Sequence, residues 1–457
     1  MSIDYCGLGT EAKTVPDEAT GLIVPLLEPW IPPALDLSIK RHNPRPRRCD
    51  LLGWPKMLRL ALLQAINPTA SFEEMLREVW QTWWQADCID RPPVSTPALA
   101  RARQRLPHWP LRELLQHTVG LVHDVNPGPV WSDHRLLTID GAPLSLPNTP
   151  RKRAYFGTTS RQNGEAYFPQ ALTVWVARLH PQVVIAEHLG PCREGDETIA
   201  PQILARVVQP NDLILGDGHY GHFPTLHVVA QRRAFYLVRA PGPLHVEEHV
   251  RERVTEHVWD LRLQLTDYMQ KKYAQLGLPP HLDVRCLTYT LPSRDRLNGV
   301  EQASFLTNLP RERYPHAQLA VLPPLRWNHE TLNNDIKSRL GLEALRSLTP
   351  EGAYSEVLAH LIMANLIRVI LWQVSPATPF QGSFTAALSA IRQANQQLRM
   401  APERRVKILH TMRQMILAQP VIFRPGRTEP RMSRPRRRPY PIFKESRADW
   451  RDQRKAR

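Results

Sequence analysis

Arg326, Glu330 and Lys337 stand four and then seven positions apart in RWNHETLNNDIKSRLGL, residues 326–342. At 3.6 residues per turn, an α-helix brings those offsets onto one face, with a carboxylate between two cations. An ordinary surface row of ion pairs has the same pattern. Two other acids are set apart by position. Asp140 closes the apolar run LLTI, Asp217 closes LILG, and each is followed by glycine. A carboxylate at the tip of a buried strand needs water, a counter-charge or a metal, because burying its charge alone is costly. The plainer reading of either Asp-Gly is a turn. Brought together, the three carboxylates would repel one another unless cations intervene. Mg²⁺, with Mn²⁺ as substitute, suits an all-oxygen site. Two such ions activate water and stabilise the leaving oxygen in an in-line attack on a phosphodiester. Arg326 and Lys337 would then hold DNA phosphates.

The elements that must position these residues follow from the patterning. Residues 1–50 are Pro-rich, end in RHNPRPRRCD and read as a basic arm. Residues 51–128 read as an N-terminal helical domain. Ser71 and Glu74 form a capping box ahead of MLREVWQTWW. Thr96-Pro97 is an N-cap with proline opening PALARARQRL. That last helix carries Arg101 and Arg105 on one face. A DNA-binding module and a helical support with solvated arginines are both compatible with it. Beyond residue 130 come short β-type runs, RLLTID, PLSLP, QALTVWVARL and QVVIAEHLG, separated by Pro and Gly. ETIAPQILARVV, capped by Asp196, is then expected as a helix, NDLILGD as a strand, TLHVVAQRR as a helix and AFYLVRAP as a strand. This order predicts a mixed α/β sheet over 130–375, with a partly β insertion at about 242–322. A C-terminal helical region at 376–423 and a basic tail at 424–457 complete the chain.

The net charge of +16 calls for a polyanionic partner, with nucleic acid first and an anionic membrane surface second. From Arg424 to Arg457 there are 13 Lys plus Arg against 4 Asp plus Glu. The five cysteines (Cys6, Cys49, Cys88, Cys192, Cys286) include no Cys-x-x-Cys pair, which excludes zinc knuckles and a disulfide framework. The N-terminus lacks the apolar run of a secretory signal. VLAHLIMANLIRVILWQV (357–374) carries His360, Asn365 and Arg368 and reads as a buried helix rather than a membrane span. A cytoplasmic, nucleoid-associated protein with no membrane partner is expected.

The order strand-Asp, strand-Asp, helix-Glu resembles the DDE transposases, and in detail the insertion-sequence family numbered four. The resemblance rests on LLTIDGAPLSLPNTPRKRAYFG around Asp140, NDLILGDGHYG around Asp217 and LRWNHETLNNDIKSRLGLEALRS around Glu330. It covers roughly 50–375. It implies an RNase H-like mixed sheet with helices on both faces. It also implies metal-dependent strand cleavage, hairpin formation and strand transfer at an element's ends. Asp140, Asp217 and Glu330 would be catalytic metal ligands, Arg326 and Lys337 contacts to phosphates, and Trp327 a stacking partner for a flipped base. Trp259, in the insertion, is a weaker stacking candidate. The partners implied are double-stranded DNA at the terminal repeats, target DNA and a second copy of the chain. The family's Tyr-x2-Arg-x3-Glu-x6-Lys motif would place tyrosine at 323, where this chain has Pro323. Gly218 stands where arginine is frequent, while Tyr220 keeps an aromatic position.

Two other functions compete. A catalytically impaired, transposase-derived DNA-binding protein would share the surface without the chemistry. HVEEH, residues 245–249, matches the inverted zinc-protease motif, which needs a helix to bring both histidines onto one face.

Overall fold

A computed structural model describes residues 31–42, 52–76, 94–125, 131–161, 164–165, 167–242, 244–292, 300–374 and 382–421. The centre of the molecule is a nine-stranded sheet. Its first half comprises β1 (Leu136–Ser145), β2 (Gln170–Arg178), β3 (Val183–Pro191), β4 (Leu213–Gly216) and β5 (Phe235–Arg239). They lie in the order 3-2-1-4-5. β2 runs antiparallel to both β1 and β3, whereas β1, β4 and β5 are parallel neighbours. This is the RNase H-like arrangement, and the mixed sheet expected from the sequence is present.

Parallel neighbours need a helical crossover. Asp196–Val207 links β3 to β4, and Phe223–Gln231 links β4 to β5. These two helices cover one face, over Val174, Val176, Val183 and Ile185. The opposite-facing residues Ala171, Trp175, Ala177 and Val184 meet the helices of the other face. Side chains alternate along a strand, so covering both faces turns these strands into nearly continuous apolar runs.

The helices, numbered in chain order, are α1 (Pro33–His42), α2 (Trp54–Ile66), α3 (Thr96–Arg105), α4 (Trp109–Val125), α5 (Pro150–Phe156), α6 (Asp196–Val207) and α7 (Phe223–Gln231). After them come α8 (Asp267–Lys272), α9 (Trp327–Asn334), α10 (Pro350–Val374), α11 (Phe384–Met400) and α12 (Arg405–Leu417). Between α8 and α9, His316–Leu319 makes a single helical turn. The sequence places the α1 segment in an unpacked arm. Instead Leu35 and Ile39, one turn apart, are buried against the other helices. The proline-rich flanks hide that seam. The rest of the arm, residues 77–93 and the basic tail lie outside the described residues.

Ser71 and Glu74 form the expected reciprocal cap: Ser71 N donates to Glu74 Oε2 (2.6 Å) and Glu74 N to Ser71 Oγ (3.1 Å). In α3 the cap is Ser95, one residue before the expected Thr96; its Oγ accepts from Ala98 N. Asp196 is likewise not a cap. Gly195 fills that position, and Asp196 is the first residue inside α6.

The helix α10 is long and apolar enough to cross a membrane, but 94% of its most apolar window is buried inside the protein. Two of its buried polar residues, Asn365 and Arg368, tie it to its neighbours. Asn365 donates to Thr118 Oγ1 (3.0 Å) and the Val184 carbonyl (2.9 Å) and accepts from Val184 N (2.8 Å). Arg368 pairs with Asp335. The helices α2, α3, α4 and α10 share one hydrophobic cluster with β2 and β3. Arg103 of α3 is held by Glu356 of α10 at 2.6 Å.

The stretch expected as a partly β insertion extends the sheet. β6 (Val250–Thr255), β7 (Val258–Gln264), β8 (His281–Pro292) and β9 (Val300–Thr307) form an antiparallel meander that joins the sheet through β9 and β5.

Candidate active site

RLLTID and PLSLP, read from the sequence as two runs, form one strand that passes straight through Asp140-Gly141. Asp140 is therefore not at a strand tip. What ends near it is its neighbour. β1 pairs with β4 only over Leu136–Thr138, opposite Leu213–Leu215. Two residues further along each strand, the same register brings Asp140 beside Asp217, where β4 has given out. Adjacent strands are roughly 4.8 Å apart, so the two carboxylates are neighbours by construction. The early end of β4 also explains Pro143: beyond Thr138 one side of β1 has no strand, and a missing N–H costs little there.

Glu330 comes from α9, which lies against β1. The helix has only a narrow buried seam: His329 and Leu332, continued by Asp335 and Ile336. His329 Nδ1 lies 2.7 Å from Thr138 Oγ1. Asn333 Nδ2 donates to Asp140 Oδ2 (2.9 Å), while Trp175 Nε1 donates to Asn333 Oδ1 (2.6 Å). Gln182 Nε2 donates to the Asn328 carbonyl (3.1 Å). Asn333 and His329 thus pin the helix to the strands. Burial pushes the His329 imidazole down to about 3, so it stays neutral.

The Arg326, Glu330 and Lys337 spacing predicts regular helix across 326–337. The chain instead enters through a 3₁₀ turn, Pro323–Arg326, continues as α9, and widens into a π turn at Asp335–Arg339. Arg326 and Glu330 are joined as expected, Nη2 to Oε1 at 3.1 Å. Lys337 lies in the π turn, with Nζ donating to the Pro143 carbonyl (3.3 Å). Asp335, fully buried, holds both Arg368 and Arg339, and its carbonyl accepts from Leu340 N five residues on (2.8 Å).

The electrostatics tie the carboxylates together. Asp140 is pushed up to about 6, first by burial and then by Asp217; Arg326 and the Gly141 N–H pull it down, and Glu330 adds a further push upward. As the side chains lie, each acid is otherwise engaged. Asp140 Oδ1 accepts from Gly141 N (3.0 Å), Asp217 Oδ1 from His219 N (2.9 Å), and Glu330 faces Arg326. Among the described residues no trio of His, Cys, Asp or Glu is close enough in this conformation to enclose a metal.

Trp327 opens α9 and is half-buried; Trp259 lies in β7 with Arg253 over its ring at 5.6 Å. Arg101 and Arg105 are exposed on α3, which packs against α2 and α10. Pro323 is buried at the start of the 3₁₀ turn and supplies no hydroxyl. A Cβ at Gly218 would stand 3.3 Å from the Ala240 carbonyl oxygen, a tight fit in which that carbonyl would have to yield by a few tenths of an ångström. HVEEH is not an α-helix: Val246–His249 is a 3₁₀ turn, in which residues four apart do not share a face. The protease geometry is therefore absent. Sequence reasoning missed Asn333, His329, Thr138 and Trp175, whose types are ordinary; only the packing of α9 on β1 makes them neighbours of Asp140.

Residues 131–366, just over half of the chain, match the family described as "Transposase DDE domain". The chain is similar to the transposase InsG of insertion sequence element IS4 from Escherichia coli K12. The two are 25% identical over 284 residues, 61% of this chain and 62% of that protein. It is also similar to the transposase of element IS421 from Escherichia coli, 34% identical over 105 residues, 21% of this chain and 28% of that protein. The chain thus spans less than two thirds of the length of these curated relatives. A solved piggyBac transposase synaptic complex with hairpin DNA is a loose structural likeness, at a TM-score of 0.40 and 9% identity. It covers 86% of this chain and 82% of that one. The family match alone carries the conclusion, since it takes in both strand aspartates and the helix glutamate: the chain belongs to the DDE transposases, with relatives in the insertion-sequence family numbered four.

Proposed function

We propose that this protein cuts DNA at the ends of its own insertion element and joins the freed 3′-hydroxyl first to the opposite strand and then to target DNA. The observation that carries this reading is the in-register adjacency of Asp140 and Asp217 under a helix that brings Glu330 and Arg326. DDE transposases act on DNA and depend on a divalent metal; here we assign Mg²⁺, with Mn²⁺ as substitute, held by Asp140, Asp217 and Glu330. The residues suit such a cation on a specific ground. Asp217 and Glu330 both drive Asp140 toward its protonated form, a repulsion that a positive ion relieves. Glu330 has to turn away from Arg326 to take part. The ion supplies Lewis-acid polarisation of the phosphodiester.

The chain's own residues do the rest. Asn333, oriented by Trp175, fixes the Asp140 carboxylate. The contact between His329 and Thr138 holds α9 at a constant distance from β1. Arg326, once released from Glu330, and Lys337 bind phosphate oxygens, so their contribution is positioning and charge stabilisation. Trp327 stacks on or near a base displaced during hairpin formation. Exposed Arg101 and Arg105 add sequence-independent contacts to the duplex. Handling two ends calls for two copies of the chain in the active complex.

A DNA fragment carrying the gene's flanking terminal repeats, incubated with Mg²⁺, tests the reading against Glu330→Gln. Nicked and hairpin products that disappear in the variant are the expected result. Equal cleavage by both proteins, or binding of the ends by the wild type with no cleavage, overturns it.

A further inference from the structure

Asp196 lies close to the paired aspartates, although no motif draws attention to it. A Cβ built on Gly141 would stand 2.7 and 2.8 Å from the Asp196 carboxylate oxygens. The Asp196 carboxylate therefore lies directly against the backbone of the residue after Asp140. Successive strand residues face opposite sides of a sheet, so Asp196 approaches β1 from the α6 face while α9 bonds to Asp140 from the other. Gly141 is in extended strand, so what it provides is room for this carboxylate. That replaces the turn as the explanation of Asp140-Gly141.

The plainer role for Asp196 is an acid in the first turn of α6, favoured by the helix dipole. That role leaves a second observation unexplained. Tyr220, in the turn after β4, is only 1% exposed, and its hydroxyl has no hydrogen-bond partner among the described residues. Burial, together with the charges of Asp196, Asp140 and Asp217, pushes its ionisation well above the ordinary range. The buried hydroxyl therefore feels the charge of all three carboxylates. One oxygen of Asp196, Oδ1, is likewise buried without a partner. The charge of Asp217 acts on Asp140 and on Asp196 alike. Orphaned buried groups of this kind point to a ligand between them.

Resting on the proposed function, we propose that Asp196 is a further cation-ligating carboxylate of this site, sharing a divalent ion with Asp217. Tyr220 is then a positioning residue that holds Asp196 and any water on the ion.

Titration of the full-length protein with Mn²⁺, followed by calorimetry and by the paramagnetic signal of free Mn²⁺, tests this without any reaction. Asp196→Asn is expected to lose one bound ion or weaken it at least about tenfold, with the helical circular dichroism unchanged. Tyr220→Phe is expected to weaken the same ion by a smaller factor. Asp140→Asn and Asp217→Asn separate the two levels of inference. If both of them impair Mn²⁺ binding while Asp196→Asn and Asp196→Ala match the wild type, the further carboxylate is refuted and the three-carboxylate reading stands. If all four variants bind Mn²⁺ as the wild type does, both are overturned. A dipole role alone would shift thermal stability and leave the isotherm untouched.

Discussion

Asp140 shows most clearly what one residue's surroundings impose. Its ordinary pKa of 3.8 is raised to about 6, chiefly by burial and by Asp217. The native state therefore holds a proton that the unfolded chain has already released between those values. The resulting penalty grows as pH rises through that window and is complete above it. Asp140→Asn is accordingly expected to stabilise the metal-free protein by roughly 2–3 kcal/mol at about pH 8 and by clearly less near pH 5. Urea denaturation in chelator at both pH values measures this, and no gain at the higher pH would contradict the burial argument. Asp140 and Asp217 stood out in the sequence as acids closing apolar runs, and Glu330 through its spacing from Arg326 and Lys337. Asn333, Trp175 and His329 did not, since an asparagine on a polar stretch carries no mark of the strand it will touch.

At the level of elements, the segment from Pro323 to Arg339 changes helical type twice within a few turns. Nothing in the residue pattern announces the π turn. Its physical anchor is Asp335, buried between Arg339 on its own segment and Arg368 of α10, itself nearly buried. Removing one member of a buried pair strands the other charge. Asp335→Ala should therefore cost about 3–5 kcal/mol and loosen the placement of Lys337. Combining it with Arg368→Met should recover a large part of that loss in chemical denaturation. A single-variant cost below about 1 kcal/mol would show that the pair does not anchor the turn. Helix existence was predictable here from the Arg326–Glu330 spacing; the pitch was not, because it depends on a partner 33 residues further along the chain.

Across the whole molecule, one sheet runs from the β3 edge, through the two aspartates, to the β6 edge of the meander. The stretch read as an interruption is thus structurally continuous with the strands that bear Asp140 and Asp217. The same scale governs charge. Residues 424–457 carry 13 of the chain's 59 Lys and Arg, so their removal should weaken DNA binding and flatten its salt dependence, while cleavage at low salt survives. Binding measured at several salt concentrations decides it. The slope falls by about 0.9 for each phosphate that is no longer neutralised, and an unchanged slope would exclude the tail from the interface.

Fold class, the order of the acidic residues and their attachment to two strands and a helix could all be read from the chain of letters. Local patterning of apolar and polar residues is enough for that. The burial of α10 could be read in the same way, from polar residues spaced through an apolar run. Three-dimensional packing was needed to show that Asp140 lies inside its strand and is uncovered where β4 stops. The same is true of the approach of Asp196 to Gly141 and of the neutral burial of His329 between α9 and β1. Each of these depends on which element ends first and what packs across the gap, and long-range contacts of that kind leave no periodic trace in the chain.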